Sequence, residues 1–534
     1  MRRNNPLLLS GWFLSIMARY HAQNTGTRIR KTIGWIAIIF GLAYVSLVLF
    51  LSPIRSLSIP FFFPIGLGIV VFWGVSYLSR FSLTKSAPNE AWVPLWGVFI
   101  SIALFYLLLA AFCAFESPDT QWQWRQATGV EPFDDWHPVL HTFLIHLVTA
   151  FLKSYRFTVM IQALLLAGLL TWLYGTFRKY RYNRVASIFV IILTATNPFS
   201  LSLVRILWKD TAFAMTGLAL SICGIHILET RGAWLRCRWH LLSMSMLLFL
   251  ASFLRHNGFF FTLPLAVLLP FSVARKNVSR VFSLLACSLL LSVGYLVLRW
   301  HLTDLGTIVV NRPAQGFSEA VGLPMSILSE CYVRHPEKVP SDVAAFLGSL
   351  GDRDFWEDHY AGDFNSVKFA CTRKGLDTRE RIEKLGRSRF FDMLARTIRA
   401  NPSSSVKVFL RITAIAWDPF PEDITGCVCL TNQRIPIGAD IDLFQTLLAR
   451  SPAGPLLLAP GAYLLYIVLV FSCGVFRLGL SCCFLALPFL CYQFGTMLFL
   501  SGHDYRFFFI TVLSGGAVCL AMLTRRENMN PSEV

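Results

Sequence analysis

Four short clusters of ionisable residues interrupt an otherwise apolar chain, and each holds side chains that can bind charge or move a proton. The first runs from Glu116-Ser117-Pro118-Asp119-Thr120 to Phe133-Asp134-Asp135-Trp136-His137-Pro138, with Trp122, Trp124 and Arg125 between. The others are Arg205 with Trp208-Lys209-Asp210, then Arg255-His256-Asn257-Gly258, and finally His503-Asp504-Tyr505-Arg506. A carboxylate can take the proton of an acceptor hydroxyl. Cations stabilise the charge that develops on a phosphate or diphosphate leaving group. Acids in one loop and cations in three others therefore suit group transfer from an anionic donor. Asp119 is the first choice for the base, because it follows an apolar run directly and a short loop can hold it rigidly. Asp134 or Asp135 could orient the acceptor, and His137 beside them is a further catalytic candidate. Asp119 and Asp135 could instead share a divalent cation, for which hard oxygen ligands favour Mg²⁺ or Mn²⁺. Lys209, Arg255 and Arg506 are the candidate cations for the donor phosphate, with Arg205 as a fourth and His256 beside Arg255.

The same residues have plainer uses. Asp134 and Asp135 suit helix caps, and Asp119 could be a solvated loop acid. Lys209 and Asp210 could form a local ion pair, while Arg255 and Arg506 could snorkel from span ends. His141 and His146, in the apolar stretch that follows Pro138, read as interfacial, and the tryptophans as part of an aromatic belt.

The elements that must position these clusters are membrane spans. Of 534 residues, 55% are hydrophobic and only 15% charged, against about 25% charged in soluble domains. Apolar runs lie at roughly 34–52, 59–78, 95–115, 156–176, 186–204, 211–228, 240–254, 258–273, 281–299, 454–472, 480–500 and 507–524. Helices need about 20 apolar residues to span, so the expectation is an all-α polytopic membrane protein with about twelve transmembrane helices. The net charge of +18 does not imply nucleic acid, because Lys and Arg concentrate in alternate short loops as the positive-inside rule requires. With the N-terminus in the cytoplasm, that rule puts all four clusters on the opposite side.

The organisation read from these patterns has five parts. Residues 1–33 form a basic cytoplasmic segment with an interfacial helix, and 34–299 a transmembrane core with an outer catalytic loop at 116–155. Residues 300–453 form an extracytoplasmic, mainly α domain, 454–524 the C-terminal spans, and 525–534 a cytoplasmic tail. Helices are expected at Asp342–Leu350, Thr378–Ala400 and Ser404–Trp417, and a surface helix over Val139–Leu152. Four of the thirteen cysteines (Cys331, Cys371, Cys427, Cys429) fall in the polar region. Outside the cytoplasm they could form one or two disulfides. No spacing suggests zinc.

The order of these motifs resembles the C-type glycosyltransferase superfamily, polytopic enzymes that include protein O-mannosyltransferases and lipid A aminoarabinose transferases. The similarity rests on Ser117-Pro118-Asp119-Thr120 after an early span and on Asp135-Trp136-His137-Pro138 entering a surface helix. Asn197-Pro198, Trp208-Lys209-Asp210, Arg255-His256-Asn257-Gly258 and Tyr505-Arg506 extend it. Two departures are visible. The acidic loop follows the third span here, not the first, and His137-Pro138 stands where that family has adjacent prolines. The resemblance implies an inverting transfer from a polyprenyl-phosphate sugar, with Asp119 as base and Lys209 and Arg255 on the donor phosphate. The acceptor would be a glycan, lipid or protein outside a bacterial inner membrane. A lipid-linked oligosaccharide flippase, or a polysaccharide polymerase or ligase using a diphosphate donor, are the alternatives; no inverted repeat of the transporter kind is present.

Overall fold

The computed structural model describes residues 83–87, 90–309, 317–419, 457–478, 480–500, 502 and 504–524. The expected N-terminal surface helix, the first two apolar runs, Cys427, Cys429 and the C-terminal tail lie outside them.

The third apolar run forms α1 (Leu95–Cys113) and stops short of Pro118. The segment after α1 holds α2 (Pro118–Ala127), a short strand β1 (Phe133–Asp134) and α3 (Val139–Thr149). Next come α4 (Tyr155–Lys179), α5 (Arg184–Thr196), α6 (Pro198–Leu203) and α7 (Lys209–Glu229). They are followed by α8 (Arg238–Phe253), α9 (Phe259–Leu268) and α10 (Val278–Asp304). Strand β2 (Ile308–Val309) returns to pair in parallel with β1, Phe133 opposite Ile308. The polar region is helical: α11 (Phe317–Ala320), α12 (Gly322–Arg334), α13 (Ser341–Leu350), α14 (Arg353–His359) and α15 (Phe364–Arg373), then α16 (Thr378–Leu385), α17 (Arg387–Ala400) and α18 (Pro402–Trp417). The chain closes with α19 (Pro460–Leu478), α20 (Leu480–Met497), a 3₁₀ turn at Tyr505–Phe508, and α21 (Phe509–Leu523).

The all-α expectation holds for the described residues apart from the two-residue β1–β2 pairing. Among the described residues five helices are long and apolar enough to cross a membrane: α1, α4, α7, α10 with the turn before it, and α21 with its 3₁₀ turn. The runs at 186–204, 240–254, 258–273, 454–472 and 480–500 give shorter apolar helices. Two of these have a local cause. Asn197 caps α6 and Pro198 begins it, which divides the fifth run. Pro264 and Pro270 interrupt the eighth, whose end tightens into a 3₁₀ turn. The sequence pattern predicts one helix over Thr378–Ala400. The chain instead breaks at Gly386, whose φ of +82° lies in the left-handed region that glycine tolerates, and Asp377 caps the first piece. Cys331 and Cys371 are buried free thiols.

Helix α7 is apolar on all sides and almost wholly buried, the pattern of a central helix. It packs against α21, α8 and α4. The approach to α21 is so close that a Cβ at Gly217 would run into the Ile510 side chain. By contrast α10 leaves Leu289, Leu290, Val293, Leu296, Val297 and Trp300 exposed, a face suited to hydrocarbon. The polar region is docked on the C-terminal helices through α18. There Gln493 donates to the Ala416 carbonyl at 2.7 Å and accepts from Thr511 at 2.7 Å. All of these atoms are buried, so Gln493→Ala strands a carbonyl and a hydroxyl. The expected cost is about 1–3 kcal/mol, read as a lower unfolding midpoint than wild type in the same detergent.

Candidate active site

The site is built around an interruption between two helices. After α6 the backbone of Val204–Trp208 leaves helical geometry before α7 starts at Lys209. Its polar groups are satisfied from neighbouring elements, as non-helical backbone in such surroundings requires. Gln162 of α4 donates to the carbonyls of Val204 (2.9 Å) and Ile206 (3.0 Å). Arg205 offers its carbonyl to the Phe115 amide at 3.1 Å, and the Leu207 amide reaches the Tyr155 hydroxyl at 3.3 Å. Trp208 then donates from Nε1 to Ser117 Oγ at 2.7 Å. Ser117 is also the N-cap of α2, accepting from the Thr120 amide at 3.2 Å. One serine thus ties the starts of α2 and α7 together, with Asp119 in the first turn of one and Lys209 in the first turn of the other.

The third contributor arrives from the far end of the chain. Arg506 Nη1 meets Asp119 Oδ2 at 2.7 Å, and its Nε meets Asp504 Oδ2 at 2.7 Å. Its guanidinium lies 4.8 Å from the centre of the Trp208 ring. Deeper in, Arg255 forms a 2.6 Å ion pair with Asp210 and sits 4.7 Å from the Phe507 ring. The turn carrying Arg255 is fixed in two ways. Asn257 donates to Thr496 at 2.7 Å, and a Cβ at Gly258 would run into the Ala251 carbonyl.

Lys209 Nζ lies 2.8 Å from His137 Nδ1. An ammonium can only donate, so Nδ1 accepts and the imidazole is the neutral Nε2–H form. Burial, and after it the Lys209 charge, push the His137 imidazole down to about 2 from its ordinary 6.5. For Asp119 burial opposes ionisation, but Arg506 and then Lys209 outweigh it and hold the carboxyl below its ordinary value of 3.8. Asp119 is therefore a carboxylate at neutral pH.

In front of Asp119 and His137 opens a cleft of about 350 Å³. Pro118, Asp119, Trp122, Trp136 and His137 line it from the segment after α1, and Asp377 and Arg379 from the polar region. Lys209 and Arg506 are not on its wall; they contact His137 and Asp119 instead. No family model, no curated protein and no solved structure matches the chain. The chemistry has to be read from the residues themselves.

Four of the residues singled out in the sequence come together: Asp119, Lys209 and Arg506, with His137 bound to Lys209. Asp134 is used differently. Its carboxylate accepts from Trp122 Nε1 at 3.0 Å and from the Trp136 backbone amide at 3.1 Å, fixing the Trp122 indole and the turn before Trp136. Asp135 pairs with Arg299 of α10 at 3.1 Å. Arg205 is buried and contributes its backbone to the α1 end. His256 hydrogen-bonds the backbone of Trp136. Among the described residues no three His, Cys, Asp or Glu side chains gather as a metal set. His141 and His146 are used as struts, on Gln123 at 3.1 Å and on the Ala127 carbonyl at 2.7 Å. His503 lies outside the described residues.

Sequence reasoning overlooked Asp504, Arg299, Asp377 and Arg379. Asp504 stood in a recognised cluster, and Arg299 at the end of an apolar run, so both carried a signal. Asp377 and Arg379 sit in a region where charges are common, and nothing local marks them.

The depressed His137 value has a stability consequence. As pH falls below about 6.5 the unfolded chain gains a proton on this imidazole that the folded chain refuses, so folding is disfavoured progressively on the acid side. In His137→Gln the amide oxygen can still accept from Lys209 without a titrating ring. Thermal unfolding between pH 7 and 5 should show a shallower decline in that variant than in wild type.

Proposed function

We propose that the protein is a membrane glycosyltransferase of the C-type architecture, transferring a sugar from a polyprenyl-phosphate donor to an acceptor hydroxyl. The observation that carries this reading is the junction at Asp119: an ionised carboxylate faces a cleft while its other side meets Arg506, with Lys209 close by. A base directed at a cleft, backed by cations, matches the needs of a reaction that deprotonates one partner and expels phosphate from the other. The comparisons with known proteins are silent on it, and the support is chemical.

In this reading the acceptor lies in the cleft and the donor phosphate on the cationic side. The acceptor oxygen attacks the anomeric carbon from the face opposite the phosphate, and its proton passes to Asp119. The carbon–oxygen bond to phosphate breaks with inversion, and the leaving phosphate keeps the electron pair, stabilised by Lys209 and Arg506. Before the donor arrives, Arg506 is held by Asp119 and Asp504. A phosphate that draws Arg506 away relieves the interaction that weakens Asp119 as a base, so donor binding readies the base. Arg255 contributes differently. With its charge matched by Asp210 in a buried pair, it holds the turn at 255–258 and the start of α7, so that Lys209 is aimed correctly.

The same reading adopts twelve spans and places residues 300–453 and the cleft outside the cytoplasm of a bacterial inner membrane. The basic loops on the other side support it. Asp119→Asn should insert and fold yet lower transfer by about 10²–10⁴-fold, and Lys209→Met should raise the donor KM. Purified protein assayed with a panel of radiolabelled polyprenyl-phosphate sugars, with and without EDTA, tests both effects and the use of a divalent cation. Transfer by Asp119→Asn at the wild-type rate would remove the base from the account.

A further inference from the structure

We propose that the cleft between the outer loop and α16 is a sugar-binding subsite, in which a pyranose ring of a glycan acceptor lies on Trp122 and is held at its hydroxyl rim by Asp377 and Arg379. The assignment of this ring to the acceptor rests on the glycosyltransferase reading; the binding of a sugar does not.

The cleft's volume, about 350 Å³, falls within the roughly 300–1,000 Å³ usual for small-molecule sites. Its lining is neither a lipid tunnel nor a bare anion trap. Trp122 is 49% exposed, although its indole is a large apolar surface. It is also held still, because Nε1 is bound to Asp134 at 3.0 Å. A rigid, half-exposed indole loses little freedom when covered, and it matches the C–H face of a pyranose. The second indole, Trp136, plays another part. Arg379 sits over its ring at 4.6 Å, a cation–π contact that joins the polar region to the outer loop and holds the guanidinium at the cleft edge.

Asp377 completes the rim. Its Oδ1 caps α16, accepting from the amides of Arg379 at 2.9 Å and Glu380 at 3.4 Å. Among the described residues Oδ2 accepts no hydrogen bond. A carboxylate beside a guanidinium offers acceptors and donors together, which is the set that vicinal hydroxyls, each both donor and acceptor, can satisfy. A phosphate at this rim would meet Asp377 and Asp119 as well as Arg379. An acyl chain would have to cover three charged side chains. The lining therefore favours a polyhydroxylated ring over either. Such a ring, seated on Trp122, would present a hydroxyl to Asp119 on the same wall.

The test is saturation-transfer NMR with the full chain in nanodiscs and an equimolar mixture of methyl glucoside, methyl mannoside, methyl N-acetylglucosaminide and methyl glucuronide. Wild type is expected to give ring-proton signals for at least one glycoside. Trp122→Ala and Arg379→Ala should each reduce them fivefold or more. Trp122→Phe, which keeps an aromatic platform and guards against a folding defect, should retain at least half. No signal from wild type at millimolar glycoside, or equal signals from wild type and both alanine variants, would overturn the subsite. Sugar signals that depend on the cleft, with transfer that ignores Asp119, would keep the subsite and remove the reaction. Transfer that needs Asp119, with sugar signals that ignore the cleft, would do the reverse.

Discussion

The ion pair between Asp119 and Arg506 joins residues 387 positions apart, and the rest of the site depends on it. Each partner is already at the start of an element: Asp119 in the first turn of α2, Arg506 in the 3₁₀ turn that opens α21. Neither end can be displaced without moving a helix. Between them the non-helical Val204–Trp208 segment supplies the third side. Its indole at Trp208 both anchors the α2 cap and underlies the Arg506 guanidinium. The start of α2, the break before α7 and the 3₁₀ turn that opens α21 are thus three elements with one meeting point.

The balance of charge at that point sets its chemistry. Asp119, Asp210 and Asp504 face Lys209, Arg255 and Arg506, and the two arginines are closely paired with acids. Lys209 differs, having a neutral imidazole as its near partner. The pair formed by Arg255 and Asp210 is the most secluded, with side chains 8% and 1% exposed. Removing one partner from such a pair commonly costs about 3–5 kcal/mol, which marks it as a support of the site. The pair at Asp119 is more open, at 35% and 22%, and so can exchange partners when an anion enters. This gradient from sealed to open runs from the helix core toward the cleft.

Much of this arrangement was legible in the sequence. The four clusters stood out because they interrupt apolar runs, but the stretch around Asp119 reads as a loop, whereas Ser117 is a cap, Pro118 a first-turn proline and Asp119 a first-turn acid of α2. The break at Asn197-Pro198 has a local cause, yet it divides a run that reads as one span. What the sequence could not display was pairing. Nothing near Asp135 indicates Arg299, and nothing near Trp136 indicates Arg379, because those contacts arise from how helices stack after the chain turns. The partners of individual residues were the least legible: Asp134 holds the Trp122 indole and the Trp136 backbone amide, and Arg255 is paired with Asp210. The split at Gly386 was missed because amphipathic spacing continues across it, and only the backbone angle of that glycine ends the helix.

The claim that Asp119 and Arg506 act as one unit in sugar transfer is tested most directly by a double-mutant cycle. Asp119→Glu and Arg506→Lys, conservative enough to leave rates measurable, would be assayed singly and together for transfer from a polyprenyl-phosphate sugar. Coupled residues should give a double variant much less impaired than the product of the single losses, by a coupling of about 1 kcal/mol or more, roughly fivefold in rate. Losses that simply multiply would contradict the account, since base and cation would then be independent and the ion pair incidental to the chemistry.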